Sequence, residues 1–172
     1  GLMESLLAQA MAEGLVRDAV IAESGAQAAD FWKLRETIPE AQKHAGASIK
    51  HDVSVPVSQV AVFMDEAARK AVARIPCLRV CAFGHVGDGN FHVIVVMDFE
   101  NADEVVRAKA FNERLVTRAL AMDGTCTGEH GIGHGKIEFL TAEHGEAVSV
   151  MRALKMAIDP MNIMNPGKIV RL

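Results

Sequence analysis

Two histidines lie in a glycine-rich segment, Gly84–His92, which reads Gly-His-Val-Gly-Asp-Gly-Asn-Phe-His. Asp88-Gly89 falls between two apolar stretches and predicts a two-residue hairpin turn, because such a turn needs positive φ at both central positions. A hairpin centred there pairs His85 directly with His92. Opposed Cβ atoms on neighbouring strands are about 4.5–5.5 Å apart, so we expect both imidazoles to reach one ion.

A second glycine-rich tract runs from Cys126 to Lys136 and contains the pair Glu129-His130. Its glycines exclude the interior of an ordinary helix and predict a backbone packed tightly against another part of the chain. The tract is not a phosphate loop, because His130 stands where that pattern needs its first glycine and Ile137 where it needs Ser or Thr. Neighbouring residues in extended backbone point to opposite sides, so Glu129 and His130 suit two different roles.

Two histidines and one carboxylate, with positions left open, are typical ligands of a catalytic divalent metal such as zinc, manganese or iron(II). The alternatives are ordinary histidines near a turn for His85 and His92, and a solvated loop acid for Glu129. His134 fits either kind of role. Three further histidines are predicted to lie at the surface: His44, His51 and His144.

The composition limits the classes of protein to which the chain can belong. The chain has 172 residues, of which 50% are hydrophobic and 23% charged, enough for one domain with a sizeable core. The net charge of -4 argues against a nucleic-acid or anionic-membrane binder. Three cysteines, an odd number, favour a reducing compartment, which predicts a cytoplasmic protein. No apolar run is long enough for a transmembrane helix. The first residue is not Met and it opens a helical pattern, which indicates a piece of a longer protein.

The hydrophobic pattern predicts helices and strands in alternation. A helix over Leu2–Glu13 is followed by a short strand, Asp18–Ala22, and by a helix that Ser24 caps and that runs towards Ile38, before Pro39. The order then continues as follows: a strand with alternating Val53, Val55 and Val57; a helix with Val60, Phe63 and Met64; strands at Leu78–Phe83 and Phe91–Met97; a helix over Asp103–Met122; a short strand near Gly124–Thr127; and C-terminal helices, the last at about Glu143–Ile158.

This order predicts an α+β fold in which an antiparallel sheet carries helices on one face. It corresponds to a split βαβ, or ferredoxin-like, arrangement with flanking C-terminal helices. We expect residues 1–172 to form one domain.

Four motifs in order resemble the C-terminal domain of the FAD-linked oxidases, in the D-lactate and D-2-hydroxyacid dehydrogenase branch of the vanillyl-alcohol-oxidase superfamily, which also holds glycolate oxidase subunits. They are Lys50-His-Asp-Val-Ser-Val-Pro56, the Gly84–His92 segment, Gly124–Gly133 with Glu129-His130, and Asp159-Pro followed by Asn165-Pro-Gly-Lys168.

The resemblance implies a role for each matching residue. His85, His92 and Glu129 correspond to divalent-metal ligands, and His130 corresponds to the base that takes the substrate hydroxyl proton. Arg35 and Lys50 correspond to the cationic residues that form the clamp for the substrate carboxylate. Asn165 lies in the tail that family members place near the flavin.

Two differences from the family pattern favour D-lactate over D-2-hydroxyglutarate. Ile94 stands where members specialised for a second carboxylate carry Asn, and Pro39 stands where they carry a hydroxyl residue. The alternatives are a glycolate or D-2-hydroxyglutarate dehydrogenase, an ether-lipid synthase, and a non-catalytic metal-binding or interaction module. The implied partners are a small 2-hydroxyacid and an N-terminal FAD-binding domain that would hold most of the FAD. Two further interpretations stay open. The protein could contact the membrane through an electron acceptor, and it could form a homodimer.

Overall fold

The computed structural model describes residues 1–44, 48–66, 79–96 and 100–172. These residues divide into two compact units, Gly1–His44 and Ala45–Leu172. No helix among them is long and apolar enough to cross a membrane.

The first unit contains two helices, α1 (Leu2–Ala12) and α2 (Gly25–Lys43). The predicted helix over Leu2–Glu13 is confirmed, and Gly14, with a φ of +71°, follows its last turn. The predicted cap is also confirmed, because the Gln27 N–H donates to Ser24 Oγ over 3.2 Å. However, α2 does not end before Pro39 but continues through it, although proline supplies no N–H to the helix.

The predicted strand at Asp18–Ala22 is wrong. These residues have no regular secondary structure, and 75% of Val20 is exposed. A strand needs a partner for its backbone groups, and the first unit contains no other strand to supply one.

The second unit is built on a three-stranded antiparallel sheet with the order β1-β3-β2. Its strands are β1 (Ser48–Ser54), β2 (Arg79–Phe83) and β3 (Asn90–Val96). Its helices are α3, described over 60–66, α4 (Ala102–Leu120), α5 (Ile137–His144) and α6 (Ala147–Ile158). The α+β class is confirmed, and the central position of β3 between β1 and β2 is the split βαβ arrangement.

One face of the sheet forms the core. Val53, Phe91 and Val93 are buried together with Phe63 from α3 and Leu115 from α4. The Arg118 guanidinium of α4 also pairs with both Glu66 oxygens of α3, at 2.9 and 3.0 Å. Since side chains alternate along a strand, the other face carries a second set of residues. Its paired positions are Lys50 with Ile94, Asp52 with His92, and Ser54 with Asn90.

Three boundaries differ from the predicted ones. Strand β1 ends at Ser54 instead of continuing to Val57, because Pro56 leads into a 3-10 turn at Val57–Gln59. The short strand near Gly124 is reduced to one antiparallel bridge between Ser54 and Thr125. The last helix begins at Ala147, since Gly145, with a φ of +52°, separates it from α5.

Candidate active site

The hairpin that carries both histidines has a longer turn than the predicted one. Strand β2 ends at Phe83, which is the residue that pairs with His92. A 3-10 turn at Val86–Asp88 then leads to Gly89. Positive φ occurs only at Gly89 in this turn, at +67°, and not at Asp88. The prediction that His85 and His92 are directly opposed is therefore wrong, and His85 lies in the loop.

The longer turn has a local cause. A Cβ atom at position 89 would lie 1.9 Å from the carbonyl oxygen of Val55. The Val55 N–H donates to the carbonyl oxygen of Gly89 over 3.0 Å. Glycine therefore brings the turn against the end of β1, and this contact replaces the compact two-residue geometry.

The three predicted ligands come together despite the changed register. His85 Nδ1 lies 2.8 Å from Glu129 Oε1, and His92 Nε2 lies 3.5 Å from Glu129 Oε2. Ligand atoms of all three residues lie within 4.8 Å of one another. Glu129 and His85 are each 45% exposed and His92 is 13% exposed, so the group is open to solvent on one side. Imidazole nitrogen with carboxylate oxygen suits zinc, manganese and iron(II).

A second group, Asp52, His92 and His130, also satisfies the same distance limit. However, Asp52 is only 2% exposed, and both of its carboxylate oxygens already accept hydrogen bonds. His92 Nδ1 faces Asp52 Oδ1 at 3.8 Å, while its Nε2 faces Glu129. Asp52 thus stands behind His92, as acids behind metal-binding histidines commonly do. The group with Glu129 is the better candidate for an ion.

Asp52 joins β1 to the glycine tract through hydrogen bonds. Its Oδ2 accepts three consecutive backbone N–H groups, those of Gly128, Glu129 and His130, at 3.1, 2.9 and 2.8 Å. The Asn90 amide donates to Oδ1 over 2.8 Å. Burial by itself raises the pKa of Asp52, but the hydrogen bonds from His130, Glu129 and Asn90 outweigh it and hold the pKa below its ordinary value.

The tight packing predicted for the glycine tract is confirmed at Gly128. A Cβ atom there would lie 1.8 Å from Asn90 Nδ2 and 2.8 Å from Ser54 Oγ. Any other residue would push the tract away from Asp52. Glycine at this position therefore lets the backbone on either side of Glu129 approach the sheet.

His130 lies beside the candidate metal ligands. Its ring stacks on that of His92, with centroids 5.1 Å apart and 21° between the planes. Its Nδ1 lies 3.9 Å from Asp52 Oδ2, and its side chain is 58% exposed. The imidazole can therefore meet a molecule from solvent while its backbone is fixed by Asp52.

Lys50 belongs to the same sheet face as His92. It pairs with Ile94, two residues beyond His92 on β3, and its side chain is exposed. Arg35 lies on α2 in the first unit, where its guanidinium is 5.7 Å from the centre of the Trp32 ring. Asn165 is exposed in the C-terminal tail, and its Oδ1 accepts from Lys168 Nζ over 3.2 Å.

Asp52 and Lys136 belong to the site although the sequence patterns did not predict them there. Lys136 Nζ donates to the Asp52 carbonyl oxygen over 2.8 Å and lies 4.0 Å from its Oδ2. Burial lowers the pKa of Lys136, and Asp52 opposes this shift. The sequence offers only a weak signal for Asp52, an acid directly before the alternating valines of the predicted strand, where a buried carboxylate would need a partner.

His51 is not a surface residue as predicted. It is 3% exposed and lies edge-on to Phe111, with centroids 5.9 Å apart. Burial lowers its pKa to about 4, although a side-chain hydrogen bond with Asn112 works in the opposite direction. His44, His134 and His144 are exposed.

Comparison with known proteins places the chain in a family. Residues 2–169 match the family model of the FAD linked oxidases, C-terminal domain. The chain is 49% identical over 122 residues to "Probable D-lactate dehydrogenase, mitochondrial" of Danio rerio, covering 70% of this chain and 24% of that protein. It is 41% identical over 150 residues to D-lactate dehydrogenase (cytochrome) 1, mitochondrial, of Saccharomyces cerevisiae, covering 83% and 25%.

A bacterial relative carries a different substrate in its name. The chain is 38% identical over 162 residues to D-2-hydroxyglutarate dehydrogenase of Xanthomonas citri pv. viticola, covering 92% of this chain and 34% of that protein. The chain thus spans 24–34% of the length of these relatives. Because the family model covers nearly every residue, the chain belongs to the FAD-linked oxidases and corresponds to their C-terminal domain.

Proposed function

We propose that residues 1–172 form the substrate- and metal-binding domain of an FAD-dependent D-2-hydroxyacid dehydrogenase, with D-lactate as the favoured substrate. The observation that carries the proposal is the meeting of His85, His92 and Glu129 beside the stacked ring of His130. A metal-ligand set next to an exposed imidazole suits the oxidation of an α-hydroxyl group, because a Lewis acid and a base together help to remove the hydroxyl proton. The names of the relatives agree with this reaction class.

The chain's own residues supply binding and proton transfer. Lys50 would attract the substrate carboxylate, because its ammonium group lies on the same sheet face as His92. Arg35 stays a predicted contact of the substrate carboxylate from the family resemblance, since a planar guanidinium suits a carboxylate better than a lysine does. His130 would accept the hydroxyl proton at a ring nitrogen, since its ring is exposed beside His92.

Two groups outside the chain would supply the remaining chemistry. A divalent ion held by His85, His92 and Glu129 would act as a Lewis acid that makes the substrate hydroxyl more acidic. FAD, held mainly by a preceding domain and approached by Asn165, would accept the hydride.

The preference for a small substrate rests on Ile94. This side chain is 2% exposed and pairs across the sheet with Lys50, so the residue beside the proposed clamp is apolar and buried. It offers no hydrogen bond to a second carboxylate. A dicarboxylic acid would leave that charge without a partner at this point, which disfavours its binding.

A substrate panel on the complete flavoprotein tests the proposal. We expect the highest kcat/KM with D-lactate among D-lactate, glycolate, D-2-hydroxyglutarate and the L-enantiomers. Highest kcat/KM with D-2-hydroxyglutarate would contradict the substrate preference but keep the reaction class. Absence of turnover with every acid, in enzyme loaded with FAD and metal, would favour a non-catalytic module instead.

A further inference from the structure

One buried carboxylate binds the backbone of both the proposed ligand and the proposed base. Asp52 Oδ2 accepts the N–H groups of Glu129 and His130 at 2.9 and 2.8 Å, and that of Gly128 at 3.1 Å. The Thr127 hydroxyl adds a fourth donor at 3.2 Å. Three consecutive N–H groups that converge on one oxygen fix the backbone of this segment, and the directions of its side chains follow.

Asp52 is itself held in place from several sides. It is 2% exposed, and Asn90 donates to its second carboxylate oxygen over 2.8 Å. Lys136 bonds its backbone carbonyl oxygen over 2.8 Å and places a positive charge 4.0 Å from Oδ2. A buried charge that is paired and hydrogen-bonded in this way has one stable orientation. The Asp52 carboxylate is therefore held rigidly enough to position other groups.

We propose that Asp52 is a positioning residue that sets Glu129 and His130 together, so that one carboxylate controls both metal affinity and presentation of the base. The inference rests on the proposed function both for the metal ligand Glu129 and for the base His130. Groups behind a metal ligand commonly change metal affinity or activity by about 10- to 100-fold when they are removed. We expect effects of that size from loss of Asp52.

Two substitutions in the complete enzyme separate charge from hydrogen bonding. Asp52→Asn keeps the shape and an oxygen for the three N–H groups. Its new amide nitrogen would face Asn90 Nδ2, the present donor, so the Asn90 amide must turn over to accept with Oδ1, which has no hydrogen-bond partner among the described residues. Neutral acceptors form bonds about half as strong as charged ones, so we expect zinc affinity about 10-fold lower. Asp52→Ala removes every acceptor, and we expect a loss of about 100-fold.

Zinc affinity is measured by titration of the metal-free enzyme. The hydrogen bonds from the backbone to Asp52 are measured by the hydrogen-exchange rates of amides 128–130. Exchange should rise in both variants. Saturating zinc should restore occupancy at Glu129 but not the kcat for D-lactate, since His130 would stay misplaced. If Asp52→Ala does not fold, Asp52→Asn alone decides. A folded Asp52→Asn enzyme with wild-type zinc affinity, exchange and kcat would overturn the inference.

Asp159 offers a matched control, because it is also a buried acid whose carboxylate accepts hydrogen bonds from backbone N–H groups. It is 4% exposed and accepts from the N–H groups of Ile163 and Met164 at 3.0 and 2.9 Å. Asp159→Asn should leave zinc affinity unchanged. A fall equal to that of Asp52→Asn would mean a general loss of structure and would overturn a specific role for Asp52.

The two proposals fail in different ways. A wild-type enzyme that binds zinc but oxidises no 2-hydroxyacid would contradict the proposed function, while the zinc titrations still test the action of Asp52 on Glu129. Normal wild-type turnover that Asp52→Asn does not change would contradict only the role of Asp52.

Discussion

The backbone N–H of His130 donates to the carboxylate of Asp52 over 2.8 Å, although the two residues are 78 positions apart. This bond ties the glycine tract to β1, beside the histidine on β3. It explains how an exposed loop can keep Glu129 and His130, the proposed ligand and the proposed base, in fixed positions. The same relationship makes the site sensitive to changes at residues that do not touch the substrate.

Loss of a metal ligand should lower both metal content and turnover. His92→Ala removes the less exposed of the two imidazoles in the proposed ligand set. Glu129→Gln removes the negative charge between the two histidines. We expect each complete enzyme to retain far less zinc after dialysis, and chelation to inhibit the wild type. His144→Ala, which changes an exposed histidine outside the ligand group, should retain wild-type metal content. Equal metal content in all three variants would rule out these ligands.

Lys50→Met should weaken substrate binding. A hydrogen bond to a charged group contributes about 1.5–3 kcal/mol, so the KM for D-lactate should rise by about 10- to 100-fold. Lys109→Met removes an exposed lysine on α4 and should leave KM unchanged. Steady-state kinetics of the two variants make the comparison. An unchanged KM in Lys50→Met would remove this residue from the clamp.

Ile94→Asn should shift selectivity towards dicarboxylic acids. The new amide can bond a second carboxylate beside Lys50, so the ratio of kcat/KM for D-2-hydroxyglutarate to that for D-lactate should rise by about 10-fold or more. The variant should also lose about 1–3 kcal/mol of stability, because Ile94 is 2% exposed and an amide would be buried there. Ile94→Val is the control for packing and should keep the wild-type ratio. A ratio that stays constant in Ile94→Asn would contradict the selectivity argument.

His51 should make stability depend on pH. Burial lowers its pKa from 6.5 to about 4, so the folded protein keeps this ring neutral where the unfolded chain already binds a proton. The stabilisation is complete above pH 6.5 and is lost as the pH falls towards 4, by at most about 1.4 kcal/mol for each pH unit. His51→Asn should flatten this part of the profile in thermal unfolding, while His144→Asn should not. The same slope in His51→Asn would exclude His51 as its source.

The three residues of the proposed metal site could be picked out from the sequence, because their residue types and glycine setting are local features, and the fold brings them within 4.8 Å of one another. The packing of Gly128 was predictable for the same reason, since a small residue marks close approach of two backbones. The α+β class followed from the alternation of helical and strand patterns, which the sheet order β1-β3-β2 confirms.

The hairpin register could not be predicted, because it depends on a distant contact. The Asp88-Gly89 pair alone favours a two-residue turn, but the bond between Val55 and Gly89 selects the longer one. The role of Asp52 was hidden in the same way, as its partners at 128–130 are brought to it only by the fold. The Asp18–Ala22 stretch had a strand's composition but no neighbouring strand in its unit, and pairing decides whether a strand forms.

The most direct test of the account is the kcat of the complete flavoprotein for D-lactate with His130 replaced by Gln, measured at saturating substrate and metal. General-base catalysis commonly contributes about 10²- to 10⁴-fold, so we expect kcat to fall by that factor while metal content and the bound flavin spectrum stay at wild-type levels. A His130→Gln enzyme that turns over D-lactate at the wild-type rate would contradict the assignment of the base and with it the central claim.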